Sequence, residues 1–274
     1  MTEWFKIHDL VGCHIKGRDA LTFCQSQFTA DVSALTPTQW QPTAWCSPKG
    51  RVKMVIVARQ HQGDVEIIFP ATQSAFLREM GRFTIGRNVE LDLIEGVSGA
   101  YTSDASAPIA NDRFNRALRL HSKPDGSIWP DNAWQEQWAL QDIILPLPWL
   151  GTKTQDRFLP QALGLESNGG LSYTKGCYPG QEIVARVHYL GRAPERLVGL
   201  NIAPTDQISI DALIGADART AERKRMTLLS AAHHDGNWLA LAVAANSVGE
   251  SGPIEFIVDD IRLTGHMTPP ASLC

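Results

Sequence analysis

The order of hydrophobic and polar positions in the N-terminal half of the chain predicts helices and strands in turn. Within residues 19–32, apolar side chains recur at helical spacing, at Ala20, Phe23, Cys24 and Phe28. We expect Asp19 to cap this helix and Cys24 to face the core. Two runs rich in β-branched residues, 52–58 and 65–69, flank Gly63 and predict an antiparallel hairpin.

Further strands and two more helices are predicted, the first a short helix over residues 71–83. Residues 88–94 and 113–120 have the composition of strands, and the small, polar residues 99–112 are predicted to form a loop. A helix that carries Trp134 and Trp138 on one face follows. Helices beside a mainly antiparallel sheet indicate an α+β fold.

Beyond Arg192 the pattern changes to closely spaced short strands. Asp235 and Gly236 lie between two of them and predict a tight hairpin turn. Strands at this spacing are typical of a small β-barrel. We therefore divide the chain into residues 1–192 and a C-terminal β-barrel domain, residues 193–274.

Composition and charge argue against several classes of protein. Hydrophobic residues make up 43% and charged residues 20% of the 274 residues, as in a globular protein with a sizeable core. The net charge of -4 gives no global attraction to nucleic acid, so we expect no direct nucleic-acid binding. No apolar run reaches the roughly 20 residues that span a bilayer, and the start of the chain lacks a signal-peptide pattern. We expect a monomeric cytoplasmic protein that does not bind membranes.

One of the cysteines differs in its surroundings from the others. The five cysteines are Cys13, Cys24, Cys46, Cys177 and Cys274, and none belongs to a CxxC pair or a zinc-ligand cluster, so no metal site is predicted. Cys177 lies in the stretch YTKGCYPGQEIVAR, with Gly176 before it and Gly180 after it. These glycines leave the sulfur open to a ligand or partner, and Lys175 adds a positive charge that favours a thiolate. The spacing is equally compatible with a small residue in a crowded turn.

Two conformations are open to Pro179 and Gly180. They can form a β-turn, with proline at the first central position and glycine at the second. Alternatively, Pro179 is the first residue of a helix, where its missing N–H costs nothing. We favour the helix, because Glu182 then lies four residues before Arg186 and is predicted to pair with it on the helix surface. The helix also puts Cys177 next to a helix N-terminus, which favours a thiolate.

Several motifs in the same order make the chain resemble the YgfZ-type folate-binding proteins. KGCYPGQEIVAR resembles the family signature K-G-C-Y-x-G-Q-E followed by an arginine. GRDALTFCQSQFTADV and SPKGRV resemble the N-terminal motif and the turn before the hairpin, and FLPQALGLESNGGLSYTKGCY resembles the run that leads into the signature. QWALQDI resembles the segment whose tryptophan is linked to folate binding, which points to Trp138. The resemblance covers residues 1 to about 192.

The resemblance implies a fold and a ligand. The fold is that of the folate-binding aminomethyltransferase of glycine cleavage, with two interleaved α+β lobes before the barrel and the hairpin in a lobe over roughly residues 45–140. The ligand is tetrahydrofolate. The residues implied in its binding are Trp138, Tyr178, Gln181, Glu182 and Arg186. A pterin ring suits aromatic or apolar walls with a few placed polar groups, although Trp138 can also be interpreted as a core residue stacked on Trp134.

The resemblance also implies a role in the cell. YgfZ-type proteins support the synthesis or repair of 4Fe–4S proteins and thereby tRNA modification. The implied partners of this chain are folate and iron–sulfur client enzymes or assembly factors. Within the signature, Cys177 would be the functional thiol, with Lys175 beside it.

Three other functions compete with this role. The first is a true aminomethyltransferase, whose hairpin carries a motif similar to G-G-V-x-D-D. This chain has Lys53 and Met54 in place of the acidic pair, so we expect no acid–base chemistry at that position. A folate-binding module without chemistry is a second possibility. The third, an iron–sulfur cluster ligated by Cys177, is disfavoured, because a cluster takes about four thiolates.

Leu10 stands where family members can carry a tryptophan, which removes one expected wall of the folate site.

Overall fold

A computed structural model describes residues 3–101, 109, 115–121, 128, 132–206 and 208–273. The strands, in chain order, are β1 (Phe5–Lys6), β2 (Leu10–Lys16), β3 (Gln41–Cys46), β4 (Val52–His61), β5 (Asp64–Pro70), β6 (Glu90–Ile94), β7 (Gly96–Tyr101), β8 (Arg116–His121), β9 (Glu195–Ile202), β10 (Asp217–Thr220), β11 (Arg225–His234), β12 (Asn237–Ala245), β13 (Gly252–Val258) and β14 (Ile261–Thr268). The α-helices are α1 (Ala20–Gln27), α2 (Ala75–Met80), α3 (Asn132–Ile144), α4 (Gln181–Leu190) and α5 (Ile210–Leu213).

A five-stranded antiparallel sheet, in the order β3-β4-β5-β2-β6, forms the first layer. The predicted hairpin is confirmed as β4 and β5, and its turn holds Gln62 and Gly63 at positive φ. One face of the sheet packs on α1 and α2, where Phe23, Cys24 and Met54 are fully buried. Cys24 therefore faces the core, as predicted.

Asp19 has a different role from the predicted helix cap. Its side chain makes no hydrogen bond within α1, and its carboxylate instead accepts the Asn88 N–H at 2.7 Å. Its backbone, at φ -100° and ψ 4°, lacks the extended conformation usual at a capping residue. The carboxylate therefore links the start of α1 to the segment that precedes β6.

A three-stranded sheet, in the order β1-β7-β8, lies beside α3. Strand β7 includes residues 99–101, which the sequence predicts as loop, so that part of the loop prediction is wrong. A small residue suits this strand, because a Cβ on Gly99 would lie 2.6 Å from Cη2 of Trp138. Most of the predicted loop, at 102–108 and 110–112, falls outside the described residues.

The C-terminal strands form a closed antiparallel barrel in the order β10-β11-β12-β9-β14-β13. The predicted hairpin turn is confirmed, with Asp235 and Gly236 both at positive φ between β11 and β12. The barrel encloses its own apolar core, while Leu229 and Leu241 on the outer face join the core that contains α3. The predicted α+β fold with a small C-terminal β-barrel is thus confirmed.

The limits predicted for the domains, 1–192 and 193–274, stay a prediction. Strand β2, near the start of the chain, joins the hairpin strands in one sheet, while β7 pairs with β1 on one side and with β8 on the other. Within the described residues, no helix is both long and apolar enough to cross a membrane.

Candidate functional site

The residues after Cys177 form a tight turn before α4. Tyr178 accepts the Gln181 N–H at 3.2 Å through its carbonyl oxygen, and Gly180 has φ 79° and ψ 1°. These angles are those of the second central residue in a type II turn, with Pro179 at the first. The preferred prediction, Pro179 as the first residue of the helix, is therefore wrong, and the alternative of a turn is confirmed. Helix α4 begins two residues later, at Gln181.

The conformation of this turn follows from a close approach to a second glycine turn. Gly50 closes the other turn by donating its N–H to the Ser47 carbonyl at 2.9 Å, with φ 72°. A Cβ on Gly180 would lie 2.5 Å from the nitrogen and Cα of Gly50, closer than real contacts allow. We call Ser47–Gly50 and Tyr178–Gln181 the paired turns. Glycine is therefore required at position 180 by the close approach, while at Gly50 it is favoured by the positive φ and a 3.1 Å approach of its Cβ position to the Gly180 carbonyl oxygen.

Cys177 is exposed in front of the paired turns. A Cβ placed on the preceding Gly176 would meet no atom within 4 Å, so this side of the loop is open. Cys13, Cys24 and Cys46 are buried, and burial raises the pKa of the Cys13 thiol to about 12 and raises the pKa of the other two. Among the described cysteines, Cys177 alone is accessible to a reagent or partner. Cys274 lies outside the described residues.

Lys175 ties the signature loop to α1. Its ammonium donates to the carbonyl oxygens of Gln25, at 2.6 Å, and Phe28, which lie at the C-terminal end of that helix. Cations are favoured there by the helix dipole. Burial lowers the pKa of Lys175 to about 8, although the charge of Asp31 opposes this shift. Within the described part of the chain, no hydrogen bond joins Lys175 to Cys177, so its visible contacts are those of a loop anchor.

Tyr178 turns inward from the same loop. Its side chain is buried in the central core, and burial raises the pKa of its phenol. The phenol oxygen and the Ser47 hydroxyl are both buried, and neither has a hydrogen-bond partner among the residues that the structure describes. Such groups usually bond to ordered water or a ligand. Two buried polar groups of the paired turns therefore lack a partner among the described residues.

Helix α4 presents the remaining signature side chains toward solvent. Glu182 and Arg186 are exposed, Gln181 is half-buried, and Val184 anchors the helix in the core. The described side chains include no ion pair between Glu182 and Arg186, so the predicted pairing is wrong. The physical reason is that an exposed pair gains little over separate hydration. Arg186 is consequently left available for an anion.

Trp138 lies in the core beneath the three-stranded sheet. Its ring is 3% exposed and stacks on Trp134 with centroids 5.1 Å apart. The guanidinium carbon of Arg116 lies 4.5 Å from the Trp138 centroid. This packing matches the alternative interpretation of Trp138, as a core residue stacked on Trp134. A contact between Trp138 and folate stays a prediction.

Sequence reasoning missed the ion pair that supports Trp138. Arg116 is fully buried and donates to the Asp142 carboxylate at 2.8 Å and to the Trp138 carbonyl at 3.2 Å. Trp149 donates its indole N–H to the same carboxylate at 3.0 Å. The sequence does show a charged residue, Arg116, within a predicted strand. No neighbouring residue, however, indicates that its side chain points into the core.

Lys53 occupies a bulge in strand β4. Trp45 pairs with Met54 and Cys46 pairs with Val52, so Lys53 is the extra residue of β4. Its ammonium contacts the Glu79 carboxylate and lies 5.0 Å from the Trp45 ring centroid. Met54 is fully buried. Lys53 is thus an ion-paired side chain, and Met54 is a buried side chain of the core. Leu10, where a family tryptophan would stand, is buried at the start of β2.

A cavity of about 480 Å³ lies between the C-terminal part of α4 and the start of the barrel. His188, Arg192, Glu195 and Arg196 are among its lining residues. Its volume falls within the usual range for a small-molecule site, roughly 300–1,000 Å³. Arg192 is exposed and forms no ion pair with any described residue, so this cavity offers a cation close to the signature helix.

Comparison with known proteins identifies relatives along most of the chain. No family model matches. An uncharacterized protein of Haemophilus influenzae is 26% identical, and the alignment covers 98% of each chain. The tRNA-modifying protein YgfZ of Klebsiella pneumoniae is 28% identical over 90% of this chain and 86% of its own length. That of Colwellia psychrerythraea is 27% identical over 89% and 86%.

A solved structure shows the same fold. The crystal structure of glycine cleavage system aminomethyltransferase T from Bartonella henselae matches with a TM-score of 0.73 and 12% identity. The match covers 98% of this chain and 86% of that one. This match shows the aminomethyltransferase fold, and together with the YgfZ relatives at 26–28% identity it supports a YgfZ-type protein.

Proposed function

We propose that this cytoplasmic protein binds tetrahydrofolate and supports the synthesis or repair of 4Fe–4S proteins, and thereby tRNA modification. The observation that carries the proposal is the exposure of Cys177 in front of the paired turns, while Cys13, Cys24 and Cys46 are buried. A chain that only needed a small residue there would gain nothing from an accessible thiol. The names of the YgfZ relatives, as tRNA-modifying proteins, agree with this role.

The residues near the signature fit a reduced folate chemically. The pterin ring carries several N–H donors, and the buried oxygens of Ser47 and Tyr178 can accept hydrogen bonds. The glutamate part of folate carries carboxylates, for which arginine is a suitable partner. Arg186 is exposed on α4, and no ion pair with a described residue occupies it. Lys175, the other cation of the signature, is engaged with α1.

Trp138 would support the folate site from within the core. Because its ring is 3% exposed, we propose that it fixes the neighbouring Tyr101 and Trp134, whose rings lie 6.0 Å and 5.1 Å from it. Replacing it by alanine would leave a cavity that costs about 3–5 kcal/mol of stability. The phenylalanine variant is therefore the better probe of binding.

Titration calorimetry with tetrahydrofolate and 5-formyl-tetrahydrofolate tests the folate proposal. We expect the unmodified chain to bind at least one of them, and Trp138→Phe to weaken binding by about 1 kcal/mol, because the smaller ring would hold Tyr101 and Trp134 less firmly. Trp238→Phe, a half-buried tryptophan of the barrel, is the matched control and should bind normally. Absence of binding by the unmodified chain would reject folate as the ligand, and equal binding by both variants would return Trp138 to a purely structural role.

The competing function is that of a glycine-cleavage aminomethyltransferase. The fold favours it, but the hairpin segment that matches the acidic motif of such enzymes holds no acidic residue here, since Lys53 in this segment is paired with Glu79 and Met54 is buried. We therefore predict no folate-dependent transfer from an aminomethyl-loaded carrier protein. Observing that transfer with purified protein would establish the enzyme activity and refute this prediction.

A further inference from the structure

A second groove of the molecule concentrates positive charge. It encloses about 730 Å³ between the end of the Ser47–Gly50 turn, the residue 157–158 segment and the hairpin that joins β10 to β11. Its cationic lining residues are Arg51, Arg157, Arg219, Arg223, Lys224 and Arg225, and we call it the basic groove. The whole chain has a net charge of -4, so this local excess is opposite in sign to the average.

Most of these cations lack a compensating carboxylate. Arg157 is paired with Asp217. The other five, Arg51, Arg219, Arg223, Lys224 and Arg225, form no ion pair with any residue in the described ranges. Glu195 also lines the groove, and it is the one acidic residue among the described lining residues. The groove therefore carries a surplus of positive charge.

The arginines are held in positions that repel one another. Arg219 and Arg225 lie directly opposite across the β10–β11 ladder, and like charges in such cross-strand pairs are destabilising. Backbone acceptors fix two of the side chains, because Arg51 donates to the Arg157 carbonyl at 2.9 Å and Arg219 to the Arg223 carbonyl at 3.4 Å. A bound polyanion would relieve the repulsion without first having to order these two side chains.

The lining indicates which kind of polyanion fits. Protein interfaces gain affinity from aromatic and apolar anchors in a desolvated centre. The one aromatic side chain described in this groove is Phe158, which is 3% exposed and unavailable to a partner. The same lack of an exposed ring argues against single-stranded nucleic acid, whose bases need a stacking surface. A row of exposed arginines without stacking rings suits the phosphates of a double helix.

We propose that the basic groove binds the phosphate backbone of double-helical RNA. This function goes beyond the proposed binding of folate and does not depend on it, although the choice of RNA over DNA rests on the proposed role in tRNA modification. It also revises the expectation drawn from the net charge, which averages over the chain and misses cations that the fold collects from residue 51 and residues 219–225.

Fluorescence anisotropy with a labelled RNA duplex of about 16 base pairs tests this proposal, since such a length spans two minor grooves. The unmodified chain should bind more tightly as salt is lowered, with a log–log slope of magnitude about 3–5 for three to five phosphate contacts. The triple variant Arg219→Gln/Arg223→Gln/Arg225→Gln should bind about tenfold or more weakly, and its slope should fall by roughly 3.

The control removes the same amount of charge elsewhere. Arg18→Gln/Arg78→Gln/Arg82→Gln alters three exposed arginines near α1 and α2 and should change the affinity less than about twofold. Equal weakening by both triple variants, or no salt-dependent binding by the unmodified chain, would overturn the proposal. Polyglutamate and unlabelled RNA are also compared as competitors at equal concentrations of negative charge. If polyglutamate displaces the labelled duplex at the lower concentration, the RNA proposal is overturned in favour of an acidic protein partner.

Discussion

At the scale of single residues, exposure divides the cysteines of this protein into two groups. Cys13, Cys24 and Cys46 are buried, and a thiol with a raised pKa is protonated at neutral pH and slow to react. Cys177 is exposed beside the open space at Gly176. The functional assignment of the signature therefore depends on whether this thiol is reactive in the folded protein.

Alkylation of the native chain measures that reactivity. Iodoacetamide near neutral pH should modify Cys177 before Cys13, Cys24 or Cys46, because the buried thiols are both inaccessible and protonated. Peptide mapping by mass spectrometry identifies the modified residue and separates it from Cys274. Cys177→Ala should retain the fold and lose the label. Equal labelling of Cys177 and the three buried thiols in folded protein would contradict this prediction.

The lowered pKa of Lys175 predicts how the stability of the fold depends on pH. Its pKa is lowered to about 8 in the folded state, whereas the ordinary value is 10.5. Between these values the unfolded chain binds more protons than the folded chain, so this residue makes stability rise with pH across that window. Below pH 8 both states are protonated, and its unfavourable contribution is constant.

Urea unfolding between pH 7.5 and 9.5 tests this dependence. Relative to Lys175→Met, the unmodified chain should gain stability by at most about 1.4 kcal/mol for each pH unit above 8. Comparing the two chains cancels the titration of other groups, and the slope stays informative even if the variant is less stable. Parallel curves for the two chains would show that Lys175 is not desolvated in solution.

At the scale of elements, the paired turns connect the hairpin to the signature. Gly50 and Gly180 both have positive φ, and a side chain on Gly180 would clash with the Gly50 backbone. The contact holds the start of α4 against the entry to β4. We infer that these two glycines set the position of Cys177, since the loop that carries it ends at this contact.

Alanine substitution at two nearby glycines tests the contact. Gly180→Ala should lower the free energy of unfolding by at least about 2 kcal/mol, because it combines backbone strain with a 2.5 Å approach to Gly50. Gly176→Ala is the matched control, since its Cβ would enter open space, and should cost less than about 0.5 kcal/mol. Urea unfolding provides both values, and equal stability of the two variants would refute the contact.

Elements set by local periodicity could be predicted from the sequence, and those set by distant contacts could not. The β4–β5 hairpin and the barrel strands follow from β-branched runs and turn residues that lie close together in the chain. Local spacing favours a helix start at Pro179 over a turn, because it does not reveal that Gly50 approaches Gly180. The capping role assigned to Asp19 failed for the same reason, since its partner is Asn88.

At the scale of the whole molecule, one core joins the parts that carry the site. The apolar cluster that contains Trp138 and Tyr178 also includes Val184 of α4 and Leu229 of the barrel. The signature loop is therefore held by the five-stranded sheet through the paired turns, by α1 through Lys175, and by the barrel through this core. The buried Arg116–Asp142 pair lies within the same region and could not be assigned from sequence, because its burial is a tertiary property.

The central claim is that the exposed thiol of Cys177 supports 4Fe–4S proteins. The most direct test is the activity of a 4Fe–4S tRNA-modifying enzyme in a strain that depends on this protein, complemented by matched variants. The unmodified chain and Cys13→Ala should restore activity, because Cys13 is buried away from the loop, whereas Cys177→Ala should fold but fail to restore it. Full restoration by Cys177→Ala at equal protein level would contradict the account, and the signature would then act through the shape of its turn.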